Sequence, residues 1–323
     1  MEAQVPTNQK PSSLSPVVQK PPFSARVKDD WHDNKIKYLM ALPVIIYFLI
    51  FSYKPMYGLL MVFQDYTPRL GIGGSTWIGF DNFVRFFNDP NATRIVVNTF
   101  NISIWSLIFG FPAPIILALL INEIKNKVFK RTVQTISYMP YFISLVVMCS
   151  LIKFFTQSDG LIPDFLAFFG VQRTNLLASP GAFIPIYVLS GIWQGVGWDS
   201  IIYLAALSGI NSELYESARI DGASRLQQMW HVTLPGLQPT IIILLILRMG
   251  SLLSVGFEKI LLLYSPSTYS VADVISTYVY RMGILNADYS YSAAIGLLNT
   301  LVNVTLLLIT NRIARKATGH GLF

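Results

Sequence analysis

Charge is scarce in this sequence. Asp, Glu, Lys and Arg make up 13% of its 323 residues, where a soluble domain carries about 25%. There is a single cysteine, Cys149, so no disulfide can close within the chain and no thiol cluster can hold a metal. The three histidines, His32, His231 and His320, lie far apart in sequence. No G-x-x-x-x-G-K-S/T phosphate loop is present, which argues against ATP hydrolysis by this chain. GIGG at 71–74 is glycine-rich but lacks the lysine and reads as a turn. H-E-x-x-H and G-x-S-x-G are missing too. The expectation is a chain that is not an enzyme and holds neither metal nor cofactor. No cleavable leader is evident.

What is present is apolar. Hydrophobic residues are 53% of the chain and the mean hydropathy is +0.50, which points to a bilayer as solvent. A spanning helix needs about 20 mostly apolar residues. Six segments qualify, at about 38–60, 96–121, 133–154, 183–206, 240–263 and 291–311. The expected fold is an all-α membrane protein of six transmembrane helices. Residues 1–35 are polar and proline-rich and read as a disordered tail. At its end, KDDWHDNKIK (28–37) fits a short interfacial helix or a solvated linker equally well. Residues 36–323 form the membrane domain.

Lys and Arg set the orientation. Fifteen fall in the tail, the loops near 122–132 and 207–238, and the C-terminus; five (Arg69, Arg85, Arg94, Arg173, Arg281) fall in the alternate loops. By the positive-inside rule both termini are cytoplasmic, as is the 208–238 loop. The net charge of +7 is then accounted for by cytoplasmic loops, with no nucleic acid. Inverted internal repeats, frequent in gradient-driven carriers, are not evident.

The 208–238 loop is polar and ordered by its residue types. Asn211 and Ser212 can cap a helix whose first turn holds Glu213 and Glu216. Asp221-Gly222 breaks that helix. A second short helix runs from about Ser224 to Trp230, with Leu226, Met229 and Trp230 on one side, and Leu234-Pro235 ends it. Such a helix–turn–helix is a docking surface; a loop packed on lipid headgroups has the same composition.

Glu216-Ser217-Ala218, three residues, Gly222, nine residues, then Val232-Thr233-Leu234-Pro235 resembles the EAA loop of ABC importer permeases. Ser217 for Ala and Val232 for Ile are its departures. PMYGLLMVFQDY (55–66), SYMPYFIS (137–144), GFEKILLLY (256–264) and ADVISTYVYRMGI (272–284) are similar to the carbohydrate branch, above all to LplB-type polysaccharide and oligosaccharide permeases, relatives of the larger maltose permease subunit. The resemblance implies a type I ABC importer permease fold in a bacterial inner membrane. It implies a second permease subunit, two ATPase subunits that bind ATP and Mg, an extracytoplasmic solute-binding protein, and an oligosaccharide substrate. It makes Glu216 and Asp221 polar docking groups, keeps the face slim at Ser217 and Ala218, assigns the turn to Gly222, and has Leu234 and Pro235 fix the exit. A non-sugar solute in the same machine, or a gradient-driven carrier or pore, are the alternatives.

Ionisable and amide side chains in spans are costly and face cavities or partners. Arg248 and Glu258 are expected on one stripe of a fifth span, Asn299 and Asn303 on one face of the sixth. Trp193, Gln194 and Trp198 belong to the fourth. These seven are substrate-path candidates; bonding between helices is the competing role.

Overall fold

The computed structural model describes residues 23–322, with side chains from Trp31 onward except those of residues 32 and 33. As far as residue 22 the expected tail lies outside the described residues. The chain divides into two compact units, the residues up to Leu59 and Leu60–Phe323.

In the first unit, α1 (Phe23–Phe48) is one helix, so residues 23–35 of the expected disordered tail are helical, and the 28–37 stretch lies inside α1 rather than forming a separate interfacial helix. A π turn at Leu49–Tyr53 follows. Pro55 explains it: its ring would collide with the carbonyl four residues back, Phe51, and the widened turn relieves that.

The second unit starts with a small antiparallel pair, β1 (Gln64–Asp65) and β2 (Thr76–Trp77), in register Gln64↔Trp77. The helices that matter here are α2 (Ala92–Gly110), α3 (Pro112–Glu123), α4 (Lys127–Tyr138), α5 (Leu145–Thr156), α6 (Pro180–Ser208), α7 (Ser212–Ile220), α8 (Arg225–Gln228), α9 (Leu234–Met249), α10 (Phe257–Leu263), α11 (Ile275–Tyr280) and α12 (Tyr289–Thr318). Among the described residues, five helical runs are long and apolar enough to cross a membrane: Asn34–Phe63, Ala92–Glu123, Leu145–Ala167, Arg225–Met249 and Tyr289–Thr318. At 29 residues, α6 is about 43 Å long, but Gln194, Asp199 and its Trp and Gly residues dilute its hydropathy.

Helix α6 is the hub and packs on α2, α3, α4 and α9. Its Phe183, Tyr187 and Val188 share a core with Met148, Cys149 and Ile260. Its Tyr203 and Leu207 share another with Ala118 and Leu237. At Gly197 the end of α4 comes so close that a Cβ would sit 2.0 Å from the Ser137 carbonyl oxygen. Only glycine fits there.

Two of the six expected spans are not continuous. The 133–154 segment is α4 and α5, separated by a 3-10 turn at Met139–Phe142. Pro140 lacks the N–H that would continue α4, and Ser144 caps α5 by accepting from the Val147 amide. The Ile143 carbonyl accepts from Gln194 Nε2 on α6 at 3.3 Å. The 240–263 segment ends as a helix at Met249 and resumes as α10 at Phe257. There, the Leu253 amide donates to Asn303 Oδ1 at 3.0 Å, and the Gly256 amide to the Tyr187 hydroxyl at 3.2 Å. Non-helical backbone at membrane depth survives only where protein or a wet cavity serves its polar groups. Here α6 and α12 do so.

Between α10 and α12 the chain is pinned by a fully buried carboxylate. Arg281 grips Asp273 with two bonds, at 2.7 and 3.2 Å, and Thr277 donates to it at 2.9 Å. Nearby, Asp89 accepts from the Tyr278 hydroxyl and, at 3.0 Å, from that of Tyr291. Burial pushes the Asp89 carboxyl up, but the bonds from Tyr278, the Asn91 amide and Tyr291 together hold it below its ordinary value.

Candidate functional site

The polar loop folds as a helix–turn–helix. Asn211 caps α7 by accepting from the Glu213 amide at 3.0 Å. Gly222 closes α7 in the left-handed region, φ +77°, and the Ala223 amide returns to the Ala218 carbonyl at 2.9 Å, the bond pattern of a glycine-terminated helix. Ser224 and Gln227 form a reciprocal capping box at the start of α8. A bond of 3.0 Å between the Tyr215 and Thr233 hydroxyls ties the two arms.

One expectation is overturned here. Leu234 and Pro235 do not end the second arm. The turn before them widens to a π turn at Met229–Thr233, which removes the clash of the Pro235 ring with the His231 carbonyl. The helix therefore runs unbroken from Arg225 to Met249, a rod about 37 Å long. The second arm is the end of a long apolar helix.

The outer face of the loop is open. Glu216, Ser217, Asp221 and Gly222 are exposed and Ala218 is half-buried. Ile220 is 87% exposed, with Leu226 and Trp230 at about 60%, an apolar edge that no other part of the described chain covers. Arg225 reaches Glu123 at the end of α3 at 3.8 Å.

The other end of the rod reaches a cavity. A space of about 540 Å³ is lined by Gln194 and Asp199 of α6, Arg248 of α9, Ser251 of the interruption, and Lys259 of α10, with Phe111, Tyr187 and Tyr203 among its aromatic walls. Asp199 and Arg248 both line it, close enough for their charges to interact, without an ion pair within 4.0 Å. The Lys259 ammonium donates to the Tyr187 carbonyl at 2.7 Å and sits 4.5 Å from the Tyr187 ring centroid.

Of the seven path candidates, Gln194 and Arg248 line this cavity. The expected stripe of Arg248 with Glu258 does not exist, because the helix between them is broken; Glu258 is exposed in the first turn of α10. Asn303 is not on the cavity wall: it holds the interruption, also donating to Ser254 at 3.2 Å. Asn299 is half-buried on α12, away from the cavity. Trp193 is 49% exposed on the outside of α6. Trp198 stacks on Tyr141 with ring centroids 4.6 Å apart and planes 3° from parallel, and Phe142 meets it edge-on. Asp199 and Lys259 were missed by the sequence reading. Each is an ionisable residue within an expected span, so the rule that singled out Arg248 applies to both.

Residues 110–319 match the family described as binding-protein-dependent transport system inner membrane component. The chain is similar to the Bacillus subtilis polygalacturonan/rhamnogalacturonan transport system permease protein YteP, 43% identical over 90% of this chain and 91% of that protein. It is similar to protein LplB of the same organism, 44% identical over 93% of each. Its fold matches a chain of a bacterial ABC transporter involved in the import of the acidic polysaccharide alginate, with a TM-score of 0.84 and 46% identity over 91% of this chain and 99% of that one. A second structure of such a transporter, in complex with an alginate pentasaccharide-bound periplasmic protein, matches with a TM-score of 0.85 and 45% identity over 92% of this chain and all of the other.

Proposed function

The chain belongs to the binding-protein-dependent transport system inner membrane components, and from that premise we propose how it works as a permease subunit of an ATP-driven importer of oligosaccharides or polysaccharides. It is a multi-pass membrane protein and a non-catalytic part of the machine. It spans the membrane six times with both termini in the cytoplasm, the two interrupted segments each counting as one crossing. A cytoplasmic tail of about the first 35 residues precedes a membrane domain that includes the 208–238 coupling loop. A second permease completes the path. Two ATPase subunits hold the ATP and Mg, and an extracytoplasmic binding protein delivers the sugar.

The observation that carries the coupling mechanism is the unbroken rod from Arg225 to Met249. Trp230 marks its exposed docking end and Arg248 the cavity wall, 18 residues apart, about 27 Å along a helix. A cleft on the ATPase receives Ile220, Leu226 and Trp230, with Glu216 and Asp221 at its polar rim. When the ATPases close on ATP, the loop moves with them, and the rod carries that motion to the cavity as a rigid body. Gly222 sets the angle between the two arms. The Tyr215–Thr233 bond keeps the first arm attached to the rod.

The test is reconstitution in proteoliposomes with the second permease, ATPases and binding protein. Sugar-loaded binding protein stimulates ATP hydrolysis, and Trp230→Ala uncouples the two. Stimulation that survives both Trp230→Ala and Ile220→Asp refutes the docking surface. The topology is tested by single cysteines in a Cys149→Ala background. Ser75→Cys and Ser179→Cys label from outside intact cells and Ser224→Cys only after permeabilisation. External labelling at Ser224→Cys overturns the orientation.

A further inference from the structure

Lys259 is 7% exposed, yet none of the ion pairs within 4.0 Å among the described residues includes it. An ammonium has three donors. Here one is satisfied, by the Tyr187 carbonyl, and the ring face of the same tyrosine lies beside it. Charges cut off from bulk water normally have a standing counter-ion, because desolvating them is expensive. This one keeps a neutral oxygen and faces a cavity. Space is left for it by Gly191, where a Cβ would approach the ammonium to 3.2 Å.

The same cavity holds a second cation, Arg248, and one carboxylate, Asp199. The wall is therefore net positive. It is also mixed in character, since Phe111, Tyr187 and Tyr203 offer ring faces beside the charges. A volume of about 540 Å³ lies within the range of roughly 300–1,000 Å³ usual for small-molecule sites, which fits a short run of sugar rings. An arginine fork suits a planar carboxylate, and a lysine supplies a point charge without fixed geometry.

We propose that this cavity is an anion-selective station on the sugar path, and that Lys259, with Arg248 on the same cavity wall, sets the preference for saccharides bearing uronic acid carboxylates. The inference rests on the permease reading above and names its substrate class. A carboxylate entering the cavity becomes the missing counter-ion of Lys259. Asp199 opposes the same guest, which prevents the site from holding an acidic chain too tightly to release it. A neutral sugar gains the ring faces and hydroxyl contacts but not the charge pairing.

The experiment uses the full complex in proteoliposomes. Uptake of a trimeric oligouronate and of its methyl ester, which keeps ring and length but loses the charge, is measured for variant and parent. Each result is taken as the ratio of variant to parent, so that the preference of the binding protein cancels. For Lys259→Gln the oligouronate ratio falls about tenfold or more below the methyl ester ratio, the loss expected for one charge-assisted bond. Lys259→Arg brings the two ratios back together, within about twofold. Asp199→Asn shifts them the other way, favouring the oligouronate. Equal ratios for Lys259→Gln overturn the proposal. Should that variant fail to assemble, Asp199→Asn decides, and no rise in the oligouronate ratio refutes it. A parent complex that imports the methyl ester but not the oligouronate overturns the charge assignment and leaves the permease reading standing. A parent that imports neither overturns the substrate class, and one that imports no saccharide its binding protein holds overturns both.

Discussion

Gly222 allows a clean perturbation of the proposed coupling loop. Its φ is +77°, and a Cβ built there meets nothing within 4 Å. A substitution therefore adds no collision and tests the backbone alone. In the left-handed region an L-residue costs roughly 1–2 kcal/mol, and asparagine less because its side chain bonds locally. A β-branched residue approaches about 3 kcal/mol. If docking needs this turn, the competent population drops by about fivefold for a 1 kcal/mol cost and somewhat over a hundredfold for 3 kcal/mol. The expected order of ATPase affinity is Gly, then Asn, then Ala, then Val. The assay titrates purified ATPase onto each permease complex in nanodiscs and follows hydrolysis stimulated by loaded binding protein, with membrane yield as the check on insertion. The graded order is the signature. Gly222→Val binding and hydrolysing like the parent refutes the reasoning, as does an equal loss in all three variants.

Gly197→Ala places a methyl against the Ser137 carbonyl, where 2.0 Å is available; overpacking of about 1–3 kcal/mol should lower the melting temperature of the detergent-solubilised complex and open the α4–α6 contact to cross-linking. Asp273→Asn leaves the Arg281 guanidinium without its carboxylate; breaking a buried pair from one side costs on the order of 3–5 kcal/mol, and Asp273→Asn/Arg281→Gln together should recover part of the lost thermal stability. Asp89 has its pKa lowered from 3.8 in the folded chain, so its contribution to stability is present above that value and disappears as pH falls through it toward the lowered one. The parent should out-melt Asp89→Asn at neutral pH and lose that advantage only below about pH 4; a constant difference across the range would remove the carboxylate as its source.

How much was legible follows from which interactions are local. The caps at Asn211 and Ser224 and the turn at Gly222 depend on residues within five positions of one another, and all three were readable from spacing. The fate of Pro235 was not, because a proline stops a helix or is absorbed by a π turn according to what the preceding backbone can do. The same holds for Met249: an apolar run of the right length reads as one span, and its interruption is stabilised by Asn303 and Tyr187, about 50 and 70 residues away in sequence. Asn303 read as a path residue for that reason, when it is the lock of the break. Glu258 and Lys259 are neighbours on α10, and only the packing of α10 on α5 and α11, with Lys259 turned to the Tyr187 carbonyl, decides which of them is buried.

By itself the sequence determined the solvent, the class and the machine. Scarce charge and long apolar runs require a bilayer, and the spacing from Glu216 to Pro235 resembles the loop of an importer permease, because both are written in composition and short-range pattern. The tertiary structure alone decided that the docking arm and the cavity wall are two ends of one helix. It also decided that Asp199, Arg248 and Lys259, each expensive in a membrane, share one cavity. They come from three helices, α9 packed on α6 and α10 tied to it by the Lys259–Tyr187 bond, and no periodicity within any one of them records that meeting.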